Sequence, residues 1–257
     1  MLLTHTFGGQ RIDLYANVNR IATESELETL RSYVKRTLDS EPVQYIVGKT
    51  WFYGLEFNVN SSTLIPRTCT ETIVDQALHV AKQTSSPIRI ADIGTGTGCI
   101  AVTIASNNGK CEIVATDISS KALDLAKENA VKHKVDQQIE FKVGDGIQAI
   151  SSQPHFDIIC SNPPYIPDVE MKSIRPNVLQ WEPKLALEGG EDGLQIIRPL
   201  IQGAPSYLAE GGTLLIEIAS STRDAVLDIA KENPHLKDSI ILRDRFGDDR
   251  FLRATRC

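Results

Sequence analysis

Two short segments of this 257-residue sequence hold residue types at spacings that can do chemistry: Asp92-Ile93-Gly94-Thr95-Gly96-Thr97-Gly98 and Ser161-Asn162-Pro163-Pro164-Tyr165-Ile166-Pro167. The first follows an apolar strand pattern and opens a helical one. Glycine adopts positive φ and lets the backbone approach a ligand with no Cβ in the way. Asp117 ends the next apolar run, 19 residues beyond Gly98, where a carboxylate can accept hydrogen bonds from ribose hydroxyls. Gly94, Thr95, Gly96, Gly98 and Asp117 therefore mark a site for an adenosine-bearing cofactor at the carboxyl ends of strands. The spacing is Gly-x-Gly-x-Gly, not the Gly-x-Gly-x-x-Gly that seats a pyrophosphate on a helix N-terminus. Asp92 would repel a pyrophosphate but attract a sulfonium or an amino group. Both features favour S-adenosylmethionine over a dinucleotide. Asp145, in Val143-Gly144-Asp145-Gly146, has two readings: a partner for the adenine amino group, or a helix N-cap.

The second segment suits methylation of a planar nitrogen. An amide or exocyclic amine is a poor nucleophile because its lone pair is delocalised. The Asn162 side-chain oxygen and the Pro163 carbonyl supply two acceptors for its two N–H groups. They would hold the nitrogen in line with a methyl donor and favour the pyramidal transition state. Tyr165 can stack on the planar group. Proline fixes φ and has no N–H to compete for the acceptors.

Elements that can position these loops follow from the pattern. From about residue 69, helices near 70–82, 98–107 and 119–132 alternate with the strands 88–94, 112–117, 139–145, 156–162 and 212–219. Such alternation predicts an α/β fold with a parallel sheet covered on both faces, and ligands of such sheets bind outside the carboxyl ends of the strands. The runs 239–244 and 250–256 flank a Phe246-Gly247-Asp248-Asp249 turn and predict a terminal antiparallel hairpin. Residues 44–59 read as another hairpin, punctuated by Gly48 and Gly54. Before it, Thr23 and Glu26 stand at capping-box spacing ahead of Leu27, Leu30, Val34 and Leu38, one helical face. Five of the twelve prolines lie between residues 163 and 183, in a long connection of the kind that is often functional.

Composition excludes several classes. The formal charge is −6, with 41% apolar and 23% charged residues, which is globular rather than disordered. No apolar run reaches the ~18 residues of a membrane span, and the start lacks a signal-peptide pattern. Mild acidity argues against stable nucleic-acid binding. The five cysteines form no Cys-x-x-Cys pair and the five histidines are scattered, so no metal site is expected. A cytoplasmic, reduced protein is the reading. Trp51 and Phe52 are expected to pack the hairpin, Arg67 to pair with a carboxylate, and Cys99 and Cys160 to fill the core. Pro199 and Pro205 fall in a stretch of helical pattern, where an interior proline costs ~3 kcal/mol.

With these residues in view, the chain resembles a known family. Asn-Pro-Pro-Tyr after the fourth strand of such a sheet is the signature of amino-group methyltransferases. The segments QYIVG (44–48), FYGLEF (52–57), LIPR with Thr70-Glu71, SNPPYIP (161–167) and WEPKLALEGGEDGL (181–194) look like the HemK-type protein-(glutamine-N5) methyltransferases that act on peptide chain release factors. The resemblance implies a Rossmann-like methyltransferase sheet preceded by a small helical substrate-recognition domain. It divides the chain into residues 1–42 (recognition, shortened), 43–68 (hairpin connector) and 69–257 (methyltransferase). It implies S-adenosylmethionine as cofactor and the glutamine of a Gly-Gly-Gln tripeptide as substrate. Asn162 and Pro163, with Pro164 and Tyr165, would hold that glutamine; Asp92, Gly94, Gly96 and Asp117 match cofactor positions. One departure is Cys69, where the family has an acidic residue. Gly8-Gly9-Gln10 spells the substrate tripeptide and reads as a polar turn. The competing readings are a DNA adenine methyltransferase, a nicotinamide-dependent oxidoreductase, and a cofactor-binding module without activity.

Overall fold

The computed structural model describes residues 1–83 and 87–257. Three helices come first, α1 (Leu2–Phe7), α2 (Arg11–Ala16) and α3 (Glu24–Leu38). Gly8-Gly9-Gln10 is the exposed turn between α1 and α2, with Gln10 as the N-cap. The capping box of α3 forms as its spacing predicts: Thr23 Oγ1 accepts from the Glu26 N–H at 3.3 Å, and Glu26 Oε2 accepts from the Thr23 N–H at 2.8 Å. Its apolar face is only half covered. Leu27 and Leu30 are half-buried while Val34 and Leu38 are exposed, because the helices beside the 15-residue α3 have only six and five residues and are too short to cover its length.

Helix α4 (Val43–Val47) leads into the hairpin of β1 (Lys49–Phe52) and β2 (Leu55–Asn58). Strand alternation puts Phe52 and Phe57 inside, edge to face with ring centroids 6.1 Å apart. The same alternation corrects the expectation for Trp51: it points outward and is 63% exposed, since neighbouring strand residues face opposite sides.

The main sheet has seven strands in the order β5-β4-β3-β6-β7-β9-β8. These are β3 (Ile88–Ile93), β4 (Cys111–Asp117), β5 (Ile139–Val143), β6 (Phe156–Ser161), β7 (Leu208–Glu217), β8 (Leu236–Arg243) and β9 (Asp249–Arg256). β3 to β7 are parallel; β9 inserts antiparallel between β7 and β8, completing the terminal hairpin. This is the Rossmann-like arrangement that the resemblance implies. The flanking helices are α5 (Glu71–Lys82), α6 (Cys99–Asn107), α7 (Ser120–Lys132), α10 (Ile197–Gly203) and α11 (Arg223–Glu232), with the short α8 (Asp168–Met171) and α9 (Pro176–Trp181) in the proline-rich connection.

Two apolar clusters cover the two faces. Ile88 and Ile90 of β3 join Ile158 and Cys160 of β6 and the helix α6 on one side; Ala91 and Ile93 join Ile159, Leu214 and α10 on the other. Each fully buried Ile or Leu contributes roughly 1.5–3 kcal/mol. Pro199 and Pro205 cost little where they fall. Pro199 is in the first turn of α10 and Pro205 in a short 3-10 turn after it, where an N–H has no intrahelical partner to lose.

Candidate active site

β3 and β6 are parallel neighbours with Ile93 opposite Ser161, so Gly94 and Asn162 leave the sheet side by side. The strand order also reverses there: β3 leads to β4 and β5 on one side, and β6 to β7 on the other. A crevice opens at such a switch point, and here it is a cavity of about 390 Å³ lined by both predicted loops.

Gly94, Thr95, Gly96, Asp117 and Asp145 all lie on the cavity wall. Gly94 and Gly96 have φ of +73° and +57°, and a Cβ on either would meet no atom within 4 Å. It would stand in open space, so bare backbone forms this part of the wall. Asp117 is fixed at the end of β4: Oδ2 accepts from the Gly96 N–H and Oδ1 from the Ser119 N–H, each at 2.9 Å. Burial raises its carboxyl above the ordinary range, against the pull of these two bonds. Asp145 stands at the N-cap of a 3-10 turn but makes no capping bond with its side chain. An open glycine cradle with an acceptor at the end of the adjacent strand fits an adenosine-bearing cofactor.

Asp92 and Gly98 do not lie on the wall. Asp92 is fully buried behind it, where Oδ2 accepts from Thr95 Oγ1 at 2.7 Å and from the Ala101 N–H at 3.2 Å. Its Oδ1 has no partner among the described residues, and burial pushes the carboxyl up to about 6. Gly98, at φ +78°, is the N-cap of α6 and packs on Ala126 of α7.

On the other side of the crevice, Asn162, Pro163 and Pro164 line the cavity. Asn162 Nδ2 donates to Thr70 Oγ1 at 3.2 Å. Among the described residues, no donor reaches Asn162 Oδ1 or the Pro163 carbonyl. Tyr165 lies off the wall, its hydroxyl donating to Glu217 Oε1 at 3.1 Å, and burial raises its phenol well above the ordinary value. Backbone pairing stiffens the loop: the Ile166 N–H donates to Leu187 O (3.0 Å), and the Gly189 N–H to Ile166 O (2.9 Å). A Cβ on Gly189 would stand 2.7 Å from the Tyr165 carbonyl carbon, which explains a glycine at that close approach.

The chain matches the Methyltransferase small domain over residues 72–181 and the PrmC N-terminal domain over residues 1–48. A release factor glutamine methyltransferase of Geobacter sulfurreducens is 37% identical over 251 residues, covering 98% of this chain and 86% of the relative. One of Nitratidesulfovibrio vulgaris is 35% identical over 257 residues, covering 100% and 86%. The chain belongs to the release factor glutamine methyltransferase family. Among solved structures, the ribosomal protein L11 methylase of Lactobacillus delbrueckii subsp. bulgaricus shares the fold, with a TM-score of 0.54 at 20% identity over 75% of this chain and 80% of that one.

In this member of the release factor glutamine methyltransferases, three groups outside the two chemistry-bearing loops line or back the site. The connector before α5 supplies Thr63, Leu64, Pro66 and Arg67 to the wall. Arg67 pairs with Glu182 at 2.5 Å, and Glu182, almost fully buried, also accepts from the Ile65 N–H at 3.0 Å. This clamp ties the connector to the proline-rich connection, whose Pro183 and Leu185 line the same cavity. Thr70 and Glu217 are the other two. Glu217 left a signal in the sequence, a lone carboxylate inside the apolar run Leu214-Leu215-Ile216-Glu217-Ile218. No group of three or more His, Cys, Asp or Glu side chains among the described residues is placed to hold a metal ion. No described helix is long and apolar enough to cross a membrane.

Proposed function

We propose that this chain transfers a methyl group from S-adenosylmethionine to the side-chain amide nitrogen of the glutamine in the Gly-Gly-Gln tripeptide of peptide chain release factors. The observation that carries the reading is the shared cavity: an open glycine cradle and the Asn162-Pro163 acceptors meet at one switch point. The bound cofactor supplies an electrophilic methyl on a sulfonium.

The cradle of Gly94, Thr95 and Gly96 would hold it, with Asp117 on the ribose hydroxyls and Asp145 beside the adenine. Asn162 Oδ1 and the Pro163 carbonyl take the two N–H groups of the substrate amide and direct the nitrogen lone pair along the transfer axis. Pro164 and Tyr165 keep the loop in that geometry. No general base is required, since the extra proton leaves the product nitrogen for solvent. Residues 1–42 serve substrate recognition, 43–68 connect, and 69–257 carry the chemistry. Release factors place the reaction in the cytoplasm, and no stable nucleic-acid contact is needed.

Incubation with a release factor and labelled S-adenosylmethionine, followed by mass spectrometry, tests this. One added methyl on the Gly-Gly-Gln glutamine is expected, and none with Asn162→Ala. Label entering only DNA would overturn the substrate assignment.

A further inference from the structure

We propose that Glu217 is a positioning residue that fixes which way round the Asn162 amide lies, and so keeps its oxygen available to the substrate. The proposal rests on the glutamine-methylating reading above. Glu217 ends β7, is fully buried and lies off the cavity wall. Three donors converge on it: Thr70 Oγ1 on Oε2 at 2.7 Å, and Tyr165 hydroxyl and Cys69 Sγ on Oε1 at 3.1 and 3.8 Å. Burial raises its carboxyl above the ordinary value, and the bonds from Thr70 and Tyr165, the Arg250 guanidinium and the Cys69 thiol oppose that rise.

With Glu217 in its ionised form the carboxylate only accepts, and a threonine hydroxyl has one proton. The Thr70 proton is therefore committed to Glu217, and Thr70 shows Asn162 a lone pair. Only the amide NH2 can bond there, as observed at 3.2 Å. A reversed Asn162 would set two oxygens against each other with no proton between them. Hydrogen bonds thus run one way, from Asn162 to Thr70 to Glu217, and Oδ1 is left as the free acceptor of a cavity-lining side chain. Reversed, the same side chain would present donors to the donors of a substrate amide.

Glu217→Gln keeps the shape but puts an NH2 into this network. When that NH2 faces Thr70, the hydroxyl accepts from it, turns its own proton to Asn162 and reverses the amide. Methylation of a release factor by the full chain is measured for Glu217→Gln, Thr70→Val, Thr70→Ser and the double variant Thr70→Val/Glu217→Gln. S-adenosylhomocysteine affinity and melting temperature are measured alongside.

Glu217→Gln is expected to lower kcat about tenfold or more, with the affinity for S-adenosylhomocysteine unchanged. Thr70→Ser, which restores the hydroxyl, recovers most of the kcat that Thr70→Val loses. In the Thr70→Val background the glutamine substitution costs much less than alone, because the relay is already cut. Independent, multiplying losses overturn the proposal, as does full activity of Glu217→Gln. If Glu217→Gln does not fold, equal kcat for Thr70→Ser and Thr70→Val overturns it instead. Absence of methylation by the unaltered chain refutes the substrate reading itself, which separates the two failures.

Discussion

Replacing Gly98 by alanine separates a glycine that shapes the fold from one that faces the cofactor. Gly98 has φ +78°, and a Cβ there would stand 3.1 Å from the Ala126 Cβ and 3.3 Å from its Cα. The left-handed conformation costs an L residue about 1–2 kcal/mol, and overpacking α6 against α7 adds about 1–3 kcal/mol. At a combined loss of about 3 kcal/mol, a chain of this length melts about 6–12 °C lower. The added methyl does not reach the cavity, so calorimetric affinity for S-adenosylhomocysteine should stay close to that of the unaltered chain.

Gly94→Ala should behave in the opposite way. It carries similar backbone strain at φ +73°, but its Cβ meets no protein atom within 4 Å and occupies the space meant for the cofactor. A loss of about 1–2 kcal/mol in stability should accompany a fall in affinity well beyond that of Gly98→Ala. If Gly98→Ala melts normally yet no longer binds S-adenosylhomocysteine, the assignment of its role to helix packing is refuted.

Three further outcomes are expected. Asn162→Ala should lower kcat by roughly 10²–10³-fold, the scale for one aimed hydrogen-bonding group, with the melting temperature nearly unchanged; loss of folding instead would make it a structural residue. Glu182→Ala should destabilise the chain by about 1–3 kcal/mol in chemical denaturation, since it leaves Arg67 and the Ile65 N–H without their buried acceptor, and an unchanged midpoint would show that the clamp is idle. Asp92, whose carboxyl burial lifts from 3.8 to about 6, binds its proton more tightly folded than unfolded. Its contribution is therefore fully present below pH ~4 and is lost as pH rises through ~6, by about 3 kcal/mol at 1.36 kcal/mol per pKa unit. The stability difference between the unaltered chain and Asp92→Asn should shrink by that order between pH 4 and 7, and a difference that does not vary with pH would contradict it.

Much of the fold was legible because its signals are local. The apolar runs predicted every strand of the main sheet to within a few residues, and Thr23 with Glu26 marked the start of α3. The two chemistry-bearing loops were equally plain. Glycine and proline restrict or free their own backbone, so their spacing records a loop conformation without help from the rest of the chain. Single side chains were less legible. The aromatic character of Trp51 argued for burial, yet the register of the hairpin turned it to solvent. Asp92 and Gly98 read as cofactor contacts alongside Gly94 and Gly96, but they sit behind the wall: Asp92 bonds Thr95 and the Ala101 N–H of α6, and Gly98 packs the start of α6 on Ala126 of α7.

The sequence alone determined an α/β sheet and marked a glycine loop and an Asn-Pro-Pro-Tyr loop at strand ends, since each depends on residue types within one short segment. Only the tertiary structure decided which distant residues meet beside that loop. Thr70 meets Asn162 from 92 positions away and Glu217 from 147 away, and Arg67 reaches Glu182 across 115. Partners so distant are chosen by strand order and helix packing, and a hydrogen-bond direction exists only once the donor, the relay and the acceptor stand within about 3 Å of one another.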